Sequence, residues 1–458
     1  MSEPDEFNRT AKLLVDRDGK TFAQAYEDLT SRKIQIDVGT SWTETPGATA
    51  AVLTAVNCGA RAFLGGVNVR LACDAVIEYG WGRGLLMSEA IGRFGGSIVP
   101  SHGADLPTVA LCGPESPTGE LVVYATWSRW SGGIVTHPSK RLDERNGNSL
   151  SGALAGAIGI SECFQNAFHG PVAGRRDAGL SLWKPGAPWL DDTFVGPQID
   201  FLPNALWLGG LGHLGQAYAW ILGLFAYPFA EKPSLVLQDF DEITEANEST
   251  SMLASSDNRG KLKTRAVSGE LEALGFETRI VERRFDQNLK RQMSEPRVIL
   301  SGFDNYRARR ALGTAGFDET VDAGLGARAE DYLDIKVRSF QGEFDSQVTY
   351  RDPQETISIK TLGSGYEREI EKRVLEGWSP ADVRCGIVEL AGKAVGASFV
   401  GTVAAALVLA EVLRPLHGGT RNHLVHVNLE FPSYAAATES ASPAQSRIGF
   451  IRGRAERR

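Results

Sequence analysis

The 458-residue chain has few cysteines, and no two of them form a C-x-x-C pair. The five are Cys58, Cys73, Cys112, Cys163 and Cys385. This spacing indicates neither a disulfide framework nor a tetrathiolate zinc site. We therefore expect a protein of a reducing compartment, the cytoplasm, and we expect no zinc.

The chain also lacks a strong charge of either sign, because 48 basic and 56 acidic residues leave a net charge of −8. That balance does not indicate a nucleic-acid partner. The N-terminal sequence MSEPDEFNRTAKLL has no apolar region of the kind found in signal peptides. Two apolar stretches, 206–230 and 394–410, are either broken by glycines and polar residues or shorter than the ~20 residues of a membrane span. We interpret both as core helices and expect no membrane association.

A glycine-rich turn is present in the segment WLGGLGHLGQAYAW, residues 207–220. Gly210, Gly212 and Gly215 have the spacing G-x-G-x-x-G, and the apolar run before them predicts a buried strand that leads into a helix. Such a turn brings backbone N–H groups close to phosphates at a helix N-terminus. Taken alone, it fits a dinucleotide, ATP, or close packing without any ligand.

The residues after this turn alternate between predicted helices and strands. Alternation of this kind predicts a mostly parallel sheet with helices on both faces, and ligands of such sheets bind at the carboxyl ends of the strands. The predicted helices lie at about 212–227, 261–274 and 307–314, and the predicted strands at 235–238, 278–281, 298–301 and 320–323.

Polar side chains of particular types follow these strands. The second strand leads to Asp239 and Asp241, Asn247 and Lys263 come next, and a later strand leads to Asp304. Hydride transfer needs neither the lysine nor a second carboxylate near the phosphates. Nucleotidyl transfer needs both, because a carboxylate holds Mg²⁺ and cationic or amide donors stabilise the charge that develops as pyrophosphate leaves.

In this order the motifs LGGLGHLG, DFDEITEAN, RGKLK and FDNYRAR resemble the pattern of E1-type adenylating enzymes. That family includes the thiamine and molybdopterin sulfur-carrier activators and the eukaryotic ubiquitin-activating enzymes. The match covers about residues 204–326 and again about 384–419. The resemblance implies ATP and Mg²⁺ as cofactors, bound at the glycine turn and the residues after it.

The resemblance implies a role for each matching position. Asp239 is expected to bind the ribose hydroxyls, with Asp241 in the same nucleotide site. Asn247 and Lys263 are expected to bind phosphates, and Asp304 to hold Mg²⁺. Lys263 and Asp304 are therefore also the expected catalytic residues of adenylation.

The chain departs from the family pattern at two positions. Thr250 stands where the family usually has an arginine that contacts phosphate, and Arg259 is a candidate to replace it. The first residue of the glycine motif is Leu208 instead of glycine. That position need not touch phosphate.

Cys385 lies in the segment SPADVRCGIVELAGKAVG, between a charged predicted helix at 366–377 and an apolar helix that begins near Gly396. Arg384 precedes it, and a neighbouring cation favours the nucleophilic thiolate. In the enzymes that this chain resembles, a cysteine at this place takes the activated carrier protein as a thioester or acyl disulfide. A lone cysteine is more often an inert apolar side chain, and we interpret the other four in that way.

The first half of the chain has features of the second half without its nucleotide residues. Segments 149–170 and 394–419 are both small-residue helices that end in His-Gly. Segments 34–67 and 205–241 share the predicted order strand, loop, helix, strand. A degenerate internal duplication and a chance likeness of two α/β halves both stay open.

We predict an inactive adenylation-like domain at 1–190 and an active one at 196–458, with a break near 176–203. A crossover loop at about 355–395 would carry the catalytic cysteine. The fold class is α/β, with two Rossmann-like E1 adenylation domains that form a pseudo-dimer within one chain. Arg9, in a predicted N-terminal helix, is a candidate to reach ATP from the first half.

This plan resembles ubiquitin-type E1 enzymes and, at this size, the E1 of bacterial Bil-type ubiquitin-like conjugation operons in antiphage defence. The resemblance implies a ubiquitin-like partner with a C-terminal glycine and an E2-like partner. Three alternatives stay open. They are an adenylyltransferase of the ThiF family for sulfur-carrier or peptide modification, an NAD-dependent oxidoreductase, and a pseudoenzyme scaffold.

Overall fold

The structure, a computed structural model, describes most of the chain. The described ranges are 7–114, 117–168, 170, 172–228, 231–350, 364–375, 379, 394–440 and 448–453. Cys385 and most of the predicted crossover loop lie outside these ranges.

The first half forms a seven-stranded sheet with the order β3-β2-β1-β4-β5-β6-β7. Its first five strands are parallel and its last two antiparallel to their neighbours. The strands are β1 (Ile34–Val38), β2 (Val67–Leu71), β3 (Gly96–Ile98), β4 (Pro107–Leu111), β5 (Leu121–Ser128), β6 (Ser131–Val135) and β7 (Ala178–Ser181). The helices are α1 (Arg9–Asp18), α2 (Phe22–Ser31), α3 (Pro46–Ala62), α4 (Met87–Arg93) and α5 (Ser149–Phe168).

The second half forms an eight-stranded sheet and a separate two-stranded one. The strands are β8 (Phe201–Pro203), β9 (Ala205–Gly209), β10 (Ser234–Gln238), β11 (Glu277–Val281), β12 (Val298–Ser301), β13 (Glu319–Leu325), β14 (Asp334–Gln341), β15 (Arg421–Asn428), β16 (Ala436–Ser440) and β17 (Phe450–Arg452). The large sheet has the order β11-β10-β9-β12-β13-β14-β15-β16, and β17 pairs with β8. The helices are α6 (His213–Leu224), α7 (Lys263–Ala273), α8 (Tyr306–Leu312), α9 (Ser346–Thr349), α10 (Ser364–Leu375) and α11 (Ser398–Leu413).

The two large sheets share the order of their first seven strands. In each, five parallel strands run third, second, first, fourth and fifth, and two antiparallel strands follow; the second sheet adds a third antiparallel strand, β16. This doubly wound arrangement is Rossmann-like and confirms the predicted fold class. Its switch points lie between β1 and β4 and between β9 and β12, where chains leave the sheet in opposite directions. The division into one active and one inactive domain stays a prediction.

The predicted boundary between the two domains, at 176–203, begins too early in the chain. Strand β7 lies inside that interval and pairs with β6, so it belongs to the first sheet. Its sequence, Ala-Gly-Leu-Ser, is short and poor in β-branched residues, and nothing in it distinguishes an edge strand from a loop.

Apolar side chains cover both faces of the second sheet. The side chains along β9 show this, because they alternate between the two faces. Leu206 and Leu208 belong to the large core that includes α6 and α11. Trp207, between them, belongs to a smaller cluster with α8 on the opposite face. Successive side chains of a strand point to opposite faces, so a strand buried on both sides is apolar throughout.

One helical layer joins the halves. Helices α3 and α5 cover the first sheet, α6 and α11 cover the second, and all four contribute to one core. The segment Ser398–His417 has the length and apolar composition of a membrane span, with a mean hydropathy of 1.7, yet 94% of its apolar window is buried inside the protein. It is placed as a core helix, as expected from its sequence.

Trp220 of α6 is a main contact between the halves. Its ring stacks on Trp81 with centroids 5.4 Å apart and meets the edge of Phe94 at 5.0 Å. Its Nε1 donates to Thr54 Oγ1 at 3.0 Å, and its carbonyl accepts from Trp81 Nε1 at 2.7 Å. All three partners belong to the first half, so this side chain couples the two sheets.

We expect Trp220→Ala to lower the free energy of unfolding by about 3–5 kcal/mol, because it leaves a large cavity and an unpaired hydroxyl on Thr54. The change in the free energy of unfolding is measured by urea unfolding, followed by far-UV circular dichroism and by proteolysis of each half. Both halves should lose stability together. Met293→Ala, at a side chain that is 87% exposed, is the control and should change little. Loss of stability in the second half alone would contradict the coupling.

Candidate nucleotide site

The glycine turn lies at the carboxyl edge of the second sheet, at its switch point. Strand β9 ends at Gly209, and Gly210 has a φ of +78°, which favours glycine. The Gly210 N–H donates to Gln238 O at 2.8 Å, which fixes the turn against β10. Helix α6 then begins at His213, with Gly212 at its N-cap position and no side chain that caps it. Its first amides are therefore available to a ligand.

The other two glycines differ in what surrounds them. A Cβ on Gly215 would lie 1.8 Å from Gly210 O, so glycine is required there for the turn to close on the helix. A Cβ on Gly212 would meet no atom within 4 Å. Gly215 therefore serves packing, whereas Gly212 borders open space that a bound phosphate can occupy.

Asp239 follows β10 directly and is held against the turn. Its Oδ2 accepts from Leu211 N at 2.6 Å, and its Oδ1 accepts from Phe240 N at 2.7 Å and Asp241 N at 2.8 Å. The side chain is buried. Because a carboxylate oxygen has two lone pairs and Oδ2 uses only one, Oδ2 can still accept a hydroxyl. The predicted ribose-binding residue is thus at the right edge and rigidly oriented.

Lys263 and Asp241 form an ion pair at the same edge. Lys263 Nζ lies 3.1 Å from Asp241 Oδ2, and Lys263 N donates to Asp241 O at 2.9 Å. The lysine side chain is 11% exposed and the aspartate 52%. Lys263 is the first residue of α7, so its ammonium is held beside the end of β10.

Asn247 lies in a short 3₁₀ helix, Glu245–Ser249, after the same strand. Its Oδ1 accepts from Thr244 N at 2.9 Å, which orients the amide. Its Nδ2 makes no hydrogen bond to a described residue, so a donor stays available. A phosphate oxygen is the kind of acceptor that it lacks.

Asp304 follows β12, the strand on the other side of the switch point. Gly302 N donates to Gly209 O at 2.8 Å, and a Cβ on Gly302 would lie 3.0 Å from Gly215 N. The segment that leads to Asp304 therefore lies against the glycine turn. Asp304 is exposed and pairs with none of the described residues, so Lys263 and Asp304 do not neutralise each other as a surface ion pair would.

A buried network behind Asp304 positions its loop. Asp322 accepts from Ser301 Oγ at 2.7 Å and from Tyr350 OH at 2.9 Å. Arg309 Nε lies 3.6 Å from Asp322 and donates to Phe303 O at 2.8 Å. Burial raises the pKa of Tyr350 far above its usual range, so it stays a donor. This network was not predicted, because only the fold brings its members together.

Arg61 is the main positioning residue that the sequence did not reveal. It lies in the last turn of α3 in the first half, and its guanidinium donates to the carbonyls of Glu248 at 2.5 Å, Met252 at 2.9 Å and Ala254 at 3.1 Å. Burial lowers its pKa to about 10, which leaves it charged at neutral pH. Arg61 therefore holds the loop that begins at Asn247. A single arginine in a helix carries no motif that could signal this.

Helix α1 approaches the same loop. Arg9 N donates to Ser249 Oγ at 3.0 Å, two residues from Asn247. Thr10 Oγ1 donates to Gly396 O at 3.1 Å, just before α11. The structure thus places Arg9 beside the candidate site, and whether its side chain reaches ATP stays a prediction.

The structure also locates the departures from the family pattern. Thr250 is buried, with its Cγ2 facing Gly396. Arg259 forms ion pairs with Glu245 at 3.0 Å and with Glu248. Its guanidinium is therefore already engaged, and an exchange of partners would be needed for it to replace the missing arginine.

The four described cysteines are free, and three of them, Cys58, Cys112 and Cys163, are buried. Burial raises the pKa of the Cys58 thiol to about 11 and also raises that of Cys163. These thiols are poor nucleophiles at neutral pH. The role of Cys385 stays a prediction.

The matching edge of the first sheet lacks the nucleotide residues. In the first sheet, strand pairing places Val38 of β1 opposite Leu71 of β2 and Leu111 of β4. In the second sheet, Gly209 of β9 lies in the same way opposite Gln238 of β10 and Ser301 of β12. Counting forward from these pairs puts Ala72 where Asp239 stands and Pro114 where Asp304 stands. The polar side chains described above are therefore assembled at one edge only.

The fold and this edge define an α/β protein with a phosphate-type glycine turn at one of two switch points. The family models of the BilD N-terminal domain and the BilD C-terminal domain match residues 33–182 and 202–419. The chain is 36% identical over 418 residues to the bacterial E1-like protein BilD of Collimonas sp. (strain OK412), which covers 90% of this chain and 89% of that protein. The chain belongs to the BilD family of bacterial E1-like proteins.

Solved structures give weaker likenesses. E. coli MccB with succinimide is 14% identical at a TM-score of 0.35, over 52% of this chain and 64% of MccB, which is less than two thirds of its length. PaaA is 15% identical at a TM-score of 0.34, over 52% of this chain and 72% of PaaA. E. coli MccB with ATP is 14% identical at a TM-score of 0.34, over 54% and 64%. At these TM-scores they add nothing to the strand order described above.

The two glycines give a matched pair of substitutions. We expect Gly215→Ala to lower the free energy of unfolding by about 1–3 kcal/mol or more, because the methyl group collides with Gly210 O. Gly212→Ala should leave stability within about 0.5 kcal/mol, since its methyl group enters open space. Urea unfolding of both variants measures this, and equal losses would contradict the geometry.

Proposed function

We propose that the protein is an ATP-dependent E1 for a ubiquitin-like protein in the bacterial cytoplasm. It adenylates the C-terminal glycine of that protein, takes it as a thioester on Cys385 and passes it to an E2-like protein, in antiphage defence. The observation that carries this proposal is the assembly at one sheet edge of the glycine turn, Asp239, Lys263 and an Asp304 that forms no ion pair with any residue the structure describes. Membership of an E1-like family supports it.

The residues at this edge fit ATP. The open side of Gly212 and the uncapped end of α6 suit phosphates, and Asp239 suits the ribose hydroxyls. Lys263 and the Nδ2 of Asn247, which bonds to no described residue, are donors for phosphate oxygens. No dinucleotide site needs this second set of donors and acids.

Asp304 fits Mg²⁺. Magnesium usually takes only one or two protein carboxylates and completes its shell with water and substrate phosphates. A single exposed aspartate beside the glycine turn, with no ion pair in the described part of the chain, meets that requirement. Mg²⁺, when bound, would neutralise negative charge on the phosphates.

In the first step the C-terminal carboxylate of the ubiquitin-like protein attacks the α-phosphate of ATP. An O–P bond forms to give the acyl-adenylate, and the bond to the β-phosphate breaks to release pyrophosphate. Lys263 and Asn247 stabilise the added negative charge on the leaving group, and Asp239 keeps the nucleotide in line for attack. No general base is needed, because the attacking carboxylate is already ionised.

In the second step the thiolate of Cys385 attacks the acyl carbon. A C–S bond forms, the bond to AMP breaks, and the thiol proton goes to solvent. The thioester keeps the acyl group activated for transfer to the thiol of the E2-like partner, and the Cys385 thiolate is the leaving group of that transfer.

Adenylation is tested by exchange of labelled pyrophosphate into ATP in the presence of a glycine-ended ubiquitin-like protein. We expect Asp304→Asn and Lys263→Gln each to lower the exchange rate by about 10²–10³. Asp105→Asn and Lys232→Gln, at exposed positions that precede strands β4 and β10 and so lie away from the carboxyl edge, are the matched controls and should exchange normally. Full exchange in Asp304→Asn would contradict its role, and exchange without the glycine-ended protein would favour a different acyl substrate.

Transfer is tested separately with Cys385→Ala. This variant should keep pyrophosphate exchange and lose the conjugate that β-mercaptoethanol cleaves, seen on non-reducing gels. Cys73→Ala, at a partly exposed cysteine, is the control and should keep the conjugate. A thiol-sensitive conjugate that persists in Cys385→Ala would place the acceptor elsewhere.

A further inference from the structure

His213 is the first residue of α6, directly after the glycine turn, and its side chain has no part in the site described so far. The imidazole extends toward α11. A Cβ on Gly401 would lie 2.4 Å from His213 Nε2, and one on Gly396 would lie 3.5 Å from His213 Nδ1. The ring therefore fills the space that side chains at these two positions would occupy, and it joins the start of α6 to the start of α11.

The ring acts through its shape and a hydrogen bond, not through charge. Burial lowers the pKa of His213 to about 4, so the imidazole is uncharged at neutral pH. The imidazole donates to the backbone carbonyl of Ala397, the residue before α11. Its Nε2 is buried and makes no hydrogen bond to a described residue. An uncharged ring does not attract phosphates over a distance, so its effect on them comes from where it holds the helix.

The backbone just before α11 supports the ring and is fixed from three sides. Val395 N donates to Ala327 O at 2.9 Å, in the loop after β13. Thr10 Oγ1, in α1, donates to Gly396 O at 3.1 Å. Thr250, in the loop after β10, has its Cγ2 3.0 Å from the position of a Cβ on Gly396. Because these contacts come from three separate elements, this backbone is a firm support for the ring.

The first amides of α6 depend on this support. They have no side-chain cap, and they are the groups that we assign to phosphates. Ordinary contacts between heavy atoms begin at about 3.5 Å, so a methyl group on Gly401 would have to move the ring by about 1 Å. Because His213 is in the first turn of α6, such a movement shifts the helix N-terminus. A misplacement of about 1 Å can cost an active site ~100-fold in rate.

We propose that His213 is a positioning residue for the phosphates of ATP. Its imidazole transmits the position of the backbone before α11 to the phosphate-binding amides of α6. The inference rests on the proposed binding of ATP at this edge. It adds to the site a residue that makes no contact with the ligand and acts through the helix that it begins.

Gly401→Ala tests this in the full chain. Alanine is a better helix former than glycine, so the substitution does not weaken α11 itself, whereas its methyl group displaces the ring. The measurement is displacement of a fluorescent ATP analogue by ATP with Mg²⁺ and by adenosine, which has no phosphates. We expect ATP to bind at least tenfold more weakly than to the wild type, and adenosine to bind within twofold. Unchanged ATP affinity overturns the inference, as does an equal loss for both ligands.

The double variant His213→Asn/Gly401→Ala tests whether the ring is the cause. Asparagine is shorter than histidine and keeps an N–H donor for Ala397, and the new methyl group takes the space that the imidazole leaves. We expect the double variant to bind ATP within threefold of the wild type, and His213→Asn alone to bind it more weakly because a gap stays open. A double variant as weak as Gly401→Ala would show that the effect does not pass through His213, which overturns the inference.

Gly179→Ala is the matched control. Its Cβ would lie 2.5 Å from Trp189 Cδ2, a similar overlap with an aromatic ring, but β7 lies in the first sheet, away from the nucleotide edge. It should lower the melting temperature and keep the ratio of adenosine to ATP affinity. A change in that ratio as large as in Gly401→Ala overturns the inference. Failure of the wild type to bind ATP overturns the proposed function together with this inference, whereas equal ATP binding by the wild type and Gly401→Ala overturns this inference alone.

Discussion

The rest of the structure depends on a contact between two helix backbones, α3 and α5. A Cβ on Gly152 would lie 1.9 Å from Gly47 O, and one on Gly156 would lie 2.5 Å from Ala51 O. The two helices therefore form one thin layer on the first sheet. The outer face of α5 then meets α11, where Phe164 packs on Phe399 with ring centroids 5.4 Å apart. Helix α11 packs in turn on α6, whose N-terminus is the glycine turn. Small residues in the first half thus set the position of the candidate site in the second.

This arrangement gives the first half a role that does not require its own nucleotide. Its edge lacks the acids of the second half, and its Arg61 holds three carbonyls of the loop that follows Asn247. Arg9 N reaches the same loop from α1. The first half therefore acts as a support for the site. This explains physically why a half without phosphate-binding residues keeps a complete sheet and a close fit to its neighbour.

The sequence predicted the fold class and most elements of the second half, because buried parallel strands and apolar helices have strong local patterns. Strand β12 has the predicted bounds of 298–301, and the other predicted elements differ by a few residues at their ends. It also predicted which residues share the site edge, since strand ends in a parallel sheet converge. It missed strand β7, whose residues carry no strand signal. It missed Arg61 and the network around Asp322 as well, because their partners are carbonyls and side chains that only tertiary folding brings near.

The central claim is that one edge of this chain, and not its counterpart, binds ATP. The most direct measurement is the stoichiometry of ATP binding by isothermal titration calorimetry, with Mg²⁺ present, on the wild type and on Gly212→Ala. We predict one ATP per chain in the wild type and binding at least tenfold weaker in Gly212→Ala, with the fold of the variant intact by circular dichroism. Two ATP per chain, or unchanged binding in Gly212→Ala, would contradict the account.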